Sequence, residues 1–323
     1  MTDRYARQIA VPSLGASGHA KLRAAKVLVI GAGGLAAPVL QYLVGAGVGH
    51  IRLVDADHVS ISNLHRQTLF RHSDLNTPKV LAAQYHMAQL NPECQLEPIQ
   101  ERFDPANATG LCAEMNLVLD CADSFAASYV ASDTCTALSL PLIAASVVGT
   151  EGYCGGFCGD APGLRAVFPD LPDRLGSCDA DGVLGPSVGV IGALQAQMAI
   201  AVLTRATPSP LGQLITYDAA ALRFGGFRFD GVAAPEAGPA FIASSQIVAV
   251  DHVIDLRAPT EPGPTLPRAT RLTVPDFTPS SPTPPANLRV VLACRSGLRA
   301  WQAAERLREY WSGEIALVAL GET

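Results

Sequence analysis

Two stretches of this 323-residue chain end a buried-looking apolar run with side chains suited to chemistry. In the first, the run 26–30 stops at Gly31-Ala32-Gly33-Gly34-Leu35-Ala36, a Gly-x-Gly-x-x-Ala pattern. Glycines there let the backbone approach a phosphate. The helix that follows aims unsatisfied N–H groups and its positive dipole end at the anion. Asp55 closes the next short apolar run, about twenty residues on, where a carboxylate accepts ribose hydroxyls. A bare strand–helix turn needs no such acid, so the pattern predicts an adenine-nucleotide site without saying which nucleotide.

Further charges follow in order. Asn63-Leu64-His65-Arg66-Gln67 lies beyond Asp55 and Asp57, Lys79 opens the next expected helix, and Asp120 and Asp123 flank the end of another strand. In a doubly wound sheet such strand ends gather on the carboxyl edge. An Arg and a Lys beside a phosphate turn neutralise a polyphosphate, and an Asp there can hold Mg²⁺ together with phosphates. Each alone reads as a solvated loop charge. Together they point to a nucleoside triphosphate.

The second stretch is Cys294-Arg295-Ser296-Gly297-Leu298-Arg299, between the apolar run 288–293 and a helical pattern over 297–310. A thiol there sits over successive backbone N–H groups and a helix N-terminus, with two Arg close by, a setting that favours anionic sulfur. A phosphatase-type Cys-x₅-Arg loop would need Arg at position 300, which is Ala300. Of the eight Cys, Cys154 and Cys158 are four apart in an expected strand and are read as packing thiols on one face. Cys178 falls in a long loop, about 160–186. No Cys-x-x-Cys pair occurs, so zinc is not expected.

The elements that must position these residues are legible from apolar patterning. Strands are expected at 26–30, 51–54, 117–119 and 140–145, helices to about Ala46 and over 78–90, 125–138 and 187–203, and apolar stretches near 153–158 and 214–217. This alternation predicts an α/β fold with a doubly wound, mostly parallel Rossmann-like sheet over 1–229. An Ala/Gly/Pro-rich linker covers 230–245. A small α/β domain over 246–323 follows, with strands at 247–250, 252–256, 288–293 and 315–320. Nine Pro between 259 and 285 exclude helix interiors there, so this domain is shortened.

Composition narrows the function classes. Apolar residues at 49% and charged residues at 16% supply core material and argue against disorder. A net charge of −6 disfavours a nucleic-acid partner. No run of 18 uninterrupted apolar residues predicts a membrane span, and the polar start is not a signal peptide, so a cytoplasmic, reducing location is expected. Only three Lys are present, Lys21, Lys26 and Lys79, so any chemistry needing a lysine falls on one of them.

The motifs Arg4-Tyr5-Ala6-Arg7-Gln8-Ile9, Gly31 to Leu35, Asp55-Ala56-Asp57, Asn63 to Gln67, Pro78-Lys79, Leu119 to Asp123 and Gly182 to Gly192 resemble the ThiF/MoeB/HesA family of ubiquitin-activating-like adenylyltransferases over about 1–229. The resemblance implies that the C-terminal glycine of a small ubiquitin-like sulfur-carrier protein attacks the α-phosphate of ATP to form an acyl-adenylate. It implies that Asp55 binds ribose, that Asn63, Arg66 and Lys79 hold phosphates with support from Gln67, and that Asp123 holds Mg²⁺. Arg7 would serve the partner's site in a homodimer, and some members use a Cys at the position of Cys178. Val253 to Arg257 and Cys294 to Arg299 resemble the rhodanese family, which carries sulfur as a cysteine persulfide from a persulfide donor. Joined, the two halves would make a thiocarboxylate. The rivals are an NAD- or FAD-dependent oxidoreductase, which leaves Arg66, Lys79 and the tail unexplained, and an inactive scaffold. ATP-dependent modification of a tRNA base on the same fold is disfavoured by the charge.

Overall fold

The computed structural model describes residues 3–170, 181–233, 238–285 and 287–321. Two short helices, α1 (Ala6–Ile9) and α2 (Gly15–Ala24), lead into β1 (Lys26–Ile30), α3 (Ala36–Ala46) and β2 (His50–Val54). Then come α4 (Lys79–Leu90), β3 (Gln95–Ile99), α5 (Ala108–Cys112), β4 (Leu117–Asp120), α6 (Phe125–Ala137) and β5 (Leu142–Val148). The rest of the first sheet is β6 (Glu151–Phe157), the long α7 (Gly185–Thr204), β7 (Gln213–Asp218) and β8 (Arg223–Arg228). The strands form one eight-stranded sheet in the order β3-β2-β1-β4-β5-β6-β7-β8. From β3 to β5 every pairing is parallel, and from β5 to β8 every pairing is antiparallel.

Strand order reverses between β1 and β4, the switch point where an open α/β sheet leaves a crevice at its carboxyl edge. Register sets the edge level: Ile30 lies opposite both Val54 and Asp120. Gly31, Asp55 and Cys121 therefore leave the sheet side by side.

β1 reads as a continuous apolar run because both of its faces are covered. Val27 and Val29 pack among residues of α3, α4 and α7, while Leu28 and Ile30 pack among those of α5 and α6. All four are at most 2% exposed, and each such burial is worth about 1.5–3 kcal/mol relative to exposure.

The second sheet holds β9 (Ala240–Phe241), β10 (His252–Asp255), β11 (Thr270–Arg271), β12 (Val290–Cys294) and β13 (Ile315–Ala319), with α8 (Leu298–Arg308) after β12. It is all parallel, in the order β11-β10-β12-β13-β9. Its core is continuous with that of the first sheet, since Phe241, Ile254, Leu292, Trp301 and Leu317 share one buried cluster with Tyr129 and Ala126 of α6.

Several expectations need correction. β9 lies inside the stretch read as linker 230–245, because two residues suffice to pair with β13 and too few are apolar to show a period. Residues 247–250 form no strand, and Val248 and Val250 are exposed. Apolar patterning gives no sign of β3. Gln95-Leu96-Glu97-Pro98-Ile99 is an edge strand, where Pro and charge are tolerated and alternation is blurred. Cys154 and Cys158 do not share a face. β6 ends at Phe157, Cys158 turns into the left-handed region at φ +58°, and the thiols fall in different clusters, against Met198 and Thr136 respectively. Both are buried packing thiols. α7 is long and apolar enough to cross a membrane, but it packs on α3, β5 and β6 inside the fold.

Candidate functional site

The carboxyl-edge crevice is built from strand ends upward. Gly31 turns at φ +87°, and a Cβ there would lie 2.9 Å from the Cys121 carbonyl oxygen, so only glycine passes between β1 and β4. The Asp55 carboxylate accepts the Ala32 N–H at 2.6 Å and the Asp57 N–H at 2.7 Å, tying the end of β2 to the glycine turn. Burial pushes the Asp55 carboxyl up, against the opposing pull of Lys79 and these two N–H donors. Lys79 Nζ meets Asp57 Oδ2 at 2.8 Å, its side chain 7% exposed against 70% for Asp57. No side chain caps the start of α3, where the Ala37 N–H pairs with the Gly33 carbonyl and Pro38 has no N–H to offer.

The 63–67 segment forms the facing wall. The Asn63 carbonyl accepts the N–H groups of Arg66 and Gln67, which fixes the turn. Gln67 is 4% exposed, its Oε1 has no hydrogen-bond partner, and its Nε2 is the nearest atom to a Cβ built at Gly33. Arg66 lies beside Gly34, and its guanidinium contacts His65 and the Ser62 carbonyl. α7 begins here too: a Cβ at Gly185 would meet the His65 carbonyl, and one at Gly34 would meet Val188.

On the β4 side, Asp120 is 1% exposed, with Oδ2 unpartnered. Burial pushes its carboxyl up to about 6, against Ser128 and the Ala122 N–H, with the Asp123 charge adding to the rise. Gln195 of α7 clamps this strand end by donating to the Asp120 and Ile143 carbonyls. Asp123 is exposed beside it. Among the described residues no group of three or more His, Cys, Asp or Glu gathers to hold a metal, and exposed Asp123 is a single oxygen donor of the kind Mg²⁺ can share with phosphates.

The thiol loop is a second, separate construction. Cys294 ends β12 and is fully buried. Gly297, at φ +93°, donates its N–H to Cys294 Sγ at 3.1 Å, and a Cβ on Gly297 would strike the Phe241 ring. Arg299 reaches the same thiol and forms a two-point pair with Glu261, both contacts at 2.6 Å. Those hydrogen bonds hold Glu261 down at about 2. Below lies the Asp255–Arg257 pair, in which burial works to raise the Asp255 carboxyl but the Arg257 hydrogen bonds and charge win. A small polar pocket opens here between Arg257, Glu261 and Arg271.

The structure thus brings Gly31, Gly33, Gly34, Asp55, Asp57, Asn63, Arg66, Gln67, Lys79 and Asp123 to one edge. It does not bring Arg7 there. Arg7 sits on α1, whose Gln8 donates to the Ala46 carbonyl at the far end of α3. That end is about 16 Å along the helix from the glycine turn. Cys178 lies outside the described residues. Asp120 and Gln195 carry as much of the geometry as the motif residues. Asp120 is visible as the first acid of Asp120-Cys121-Ala122-Asp123, whereas Gln195 gives no signal inside an apolar helix. Glu261 also gives no signal, since only the fold places it over Cys294.

The ThiF family profile matches residues 5–235. "Adenylyltransferase and sulfurtransferase uba4" of Aspergillus fumigatus is 44% identical over 218 residues, which is 64% of this chain and 44% of the relative. Its namesake in Yarrowia lipolytica is 42% identical over 209 residues, 62% of this chain and 51% of the relative. The chain thus spans about half the length of the curated relatives it matches. Among solved structures, E. coli MccB with ATP superposes with a TM-score of 0.63 at 21% identity, over 73% of this chain and 74% of MccB. PaaA superposes with a TM-score of 0.59 at 20% identity, over 70% and 72%. At such identities the likeness is one of fold.

Proposed function

The chain belongs to the ThiF family, and from that premise we propose that it uses ATP to adenylate the C-terminal glycine of a small ubiquitin-like sulfur-carrier protein and then delivers sulfur to that carbonyl from Cys294. The observation that carries the reading is a nucleotide-type edge with a buried lysine and a cradled thiol in one chain. The curated relatives are named for both activities.

In the first step the carrier carboxylate attacks the α-phosphorus of ATP and pyrophosphate leaves. The chain's own work is positioning and charge stabilisation. Asp55 takes the ribose hydroxyls. The backbone N–H groups of the glycine turn, Asn63, Arg66 and Lys79 take the phosphates, with Lys79 exchanging the exposed Asp57 for one of them. The free Oε1 of Gln67 accepts from a donor on the nucleotide or a water. Asp123 would hold Mg²⁺, which would supply neutralising charge on the phosphates. Arg7 completes the neighbouring subunit's site, since it stands too far from its own. A groove beside α1, lined by exposed Tyr42 of α3, half-buried Ala193 and Ile200 of α7, and Gln41 and Gln197, supports a homodimer face.

In the second step the terminal sulfur of a Cys294 persulfide, loaded by a persulfide donor, attacks the glycyl carbonyl carbon. The C–O bond to the phosphate breaks and AMP leaves with the electron pair. A dithiol reductant then cleaves the resulting acyl disulfide, freeing the thiocarboxylate and the Cys294 thiol. The five-stranded parallel sheet with its strand–Cys–helix loop is the rhodanese-like half of this reading. Carrier-dependent ATP–pyrophosphate exchange tests the first step. Tight NAD binding without ATP binding in calorimetry would overturn it in favour of an oxidoreductase.

A further inference from the structure

The two sheets meet carboxyl edge to carboxyl edge. Phe125, two residues past Asp123 at the first position of α6, places its ring 6.0 Å from that of Phe241. The Phe241 ring in turn abuts Gly297, whose N–H touches Cys294 Sγ. Three contacts in series therefore run from the start of α6 to the thiol. On the other flank Arg102, beyond the carboxyl end of β3, donates to the Ala319 carbonyl at the carboxyl end of β13. The next two residues, Leu320 and Gly321, donate to the carbonyls of Cys294 and Arg295. β3 and β4 bracket β2 and β1, the strands that end in Asp55 and Gly31. The thiol loop is thus anchored to both flanks of the nucleotide crevice of its own chain.

Arg165 locks this arrangement. Its guanidinium pairs with Asp133 of α6 through two 2.8 Å contacts and donates to the Pro239 carbonyl just ahead of β9. It also lies over two rings, 5.0 Å from the centroid of Tyr129 in α6 and 5.3 Å from that of Trp301 in α8. Those rings are themselves 5.0 Å apart. A half-buried cation held by an acid, a carbonyl and two aromatic faces is costly to dislodge. With the shared core beneath it, the second sheet is seated rather than tethered.

We infer that sulfur passes within a single chain, from Cys294 to the adenylate in that chain's own crevice, and that Arg165 is a positioning residue for this transfer. The inference rests on the proposed function. It goes further in requiring no thiol from the other subunit and, because Cys294 is fully buried, in requiring only its own loop to open for loading and transfer. The persulfide sulfur bonds to the carbonyl carbon as the C–O bond to AMP breaks, and a dithiol in the assay resolves the acyl disulfide.

Equimolar Lys79→Met and Cys294→Ser chains, mixed so that they share dimers, decide the first part. The probes are the carrier protein, ATP with Mg²⁺, a persulfide donor and dithiothreitol, with thiocarboxylate read by mass spectrometry. Lys79→Met keeps the thiol and lacks adenylation, whereas Cys294→Ser keeps adenylation and lacks the thiol. Transfer within one chain gives no thiocarboxylate above the sum of the separate variants. Recovery to a substantial share of the wild-type rate would overturn the inference. Arg165→Gln decides the second part. It should keep pyrophosphate exchange and Cys294 persulfide loading within about twofold while thiocarboxylate formation falls at least about tenfold, because loss of alignment strikes only the joint step. Arg165→Lys, which keeps charge but not the planar stack, should recover little. An unchanged joint step in Arg165→Gln would refute the positioning role. If the wild-type protein performs neither half-reaction, the proposed function itself fails, a result distinct from either of these.

Discussion

Lys79 and Asp57 form a 2.8 Å ion pair in which the lysine is buried and the aspartate is exposed. A lysine held dry beside the proposed phosphate site by an acid that water can reach is a charge ready to change partners. Lys79→Met keeps the aliphatic packing of α4 and removes the charge. Carrier-dependent pyrophosphate exchange should fall about 10²-fold or more, the usual cost of deleting a preorganised charge at a reacting phosphate, while the melting temperature changes little. Exchange at the wild-type rate would remove Lys79 from the site.

Asp120 gives a pH signature. Its folded carboxyl stands at about 6, above the ordinary value of 3.8, mainly through burial. Between about pH 4 and pH 6 the folded chain keeps a proton that the unfolded chain has lost, so stability falls as pH rises through this window and levels off above it. The full penalty is about 3 kcal/mol at most, from roughly two units at 1.4 kcal/mol each. Asp120→Asn cannot ionise. Its stability relative to wild type should climb from pH 4 to pH 6 in denaturant titrations, then stay flat. A constant difference across that range would show that burial does not raise the Asp120 carboxyl.

How much of this was readable in advance depends on how local the signal is. The glycine turn, Asp55, Lys79 and the Cys294 loop each follow from a strand ending at a known residue, and strand ends with short-range spacing survive in sequence. The seat of the second sheet does not. Arg165, Trp301, Phe241 and Arg102 are scattered across more than 190 positions and meet only after both sheets form. β9 gives no signal in an Ala/Gly/Pro stretch because a two-residue strand has no period. Strict alternation misplaces Cys158 because one left-handed residue ends the strand early.

Arg7 offers a test of subunit sharing. It lies at the opposite end of α3 from the glycine turn, so its own crevice is out of reach. Arg7→Ala and Asp123→Ala should each abolish carrier-dependent exchange. Mixed in equal amounts, they should restore about a quarter of the wild-type rate, since half the dimers are mixed and each mixed dimer holds one whole site. Ultracentrifugation must show that subunits have exchanged. No recovery in demonstrably mixed dimers would place Arg7 outside the reaction.

The sharpest separation is between the two chemistries. In the proposed scheme adenylation uses the glycine turn, Arg66, Lys79 and Asp123, all around the first sheet. Sulfur delivery there uses Cys294, which is fully buried, held by the Gly297 N–H and reached by Arg299. Cys294→Ser removes the sulfur with little change of volume and retains a hydrogen-bonding atom for the Gly297 N–H, so the loop should keep its shape. The variant should retain pyrophosphate exchange and lose most thiocarboxylate formation from a persulfide donor. Mass spectrometry of the carrier decides it. Cys178→Ser is the control, because the family resemblance makes that thiol the alternative nucleophile. If Cys178→Ser loses the product while Cys294→Ser does not, sulfur travels through Cys178 and the cradle is bypassed. If both variants make product at the wild-type rate, free sulfide or an external persulfide attacks the adenylate directly. The buried thiol would then be a packing group like Cys154, despite its N–H donor and the Arg299–Glu261 pair beside it.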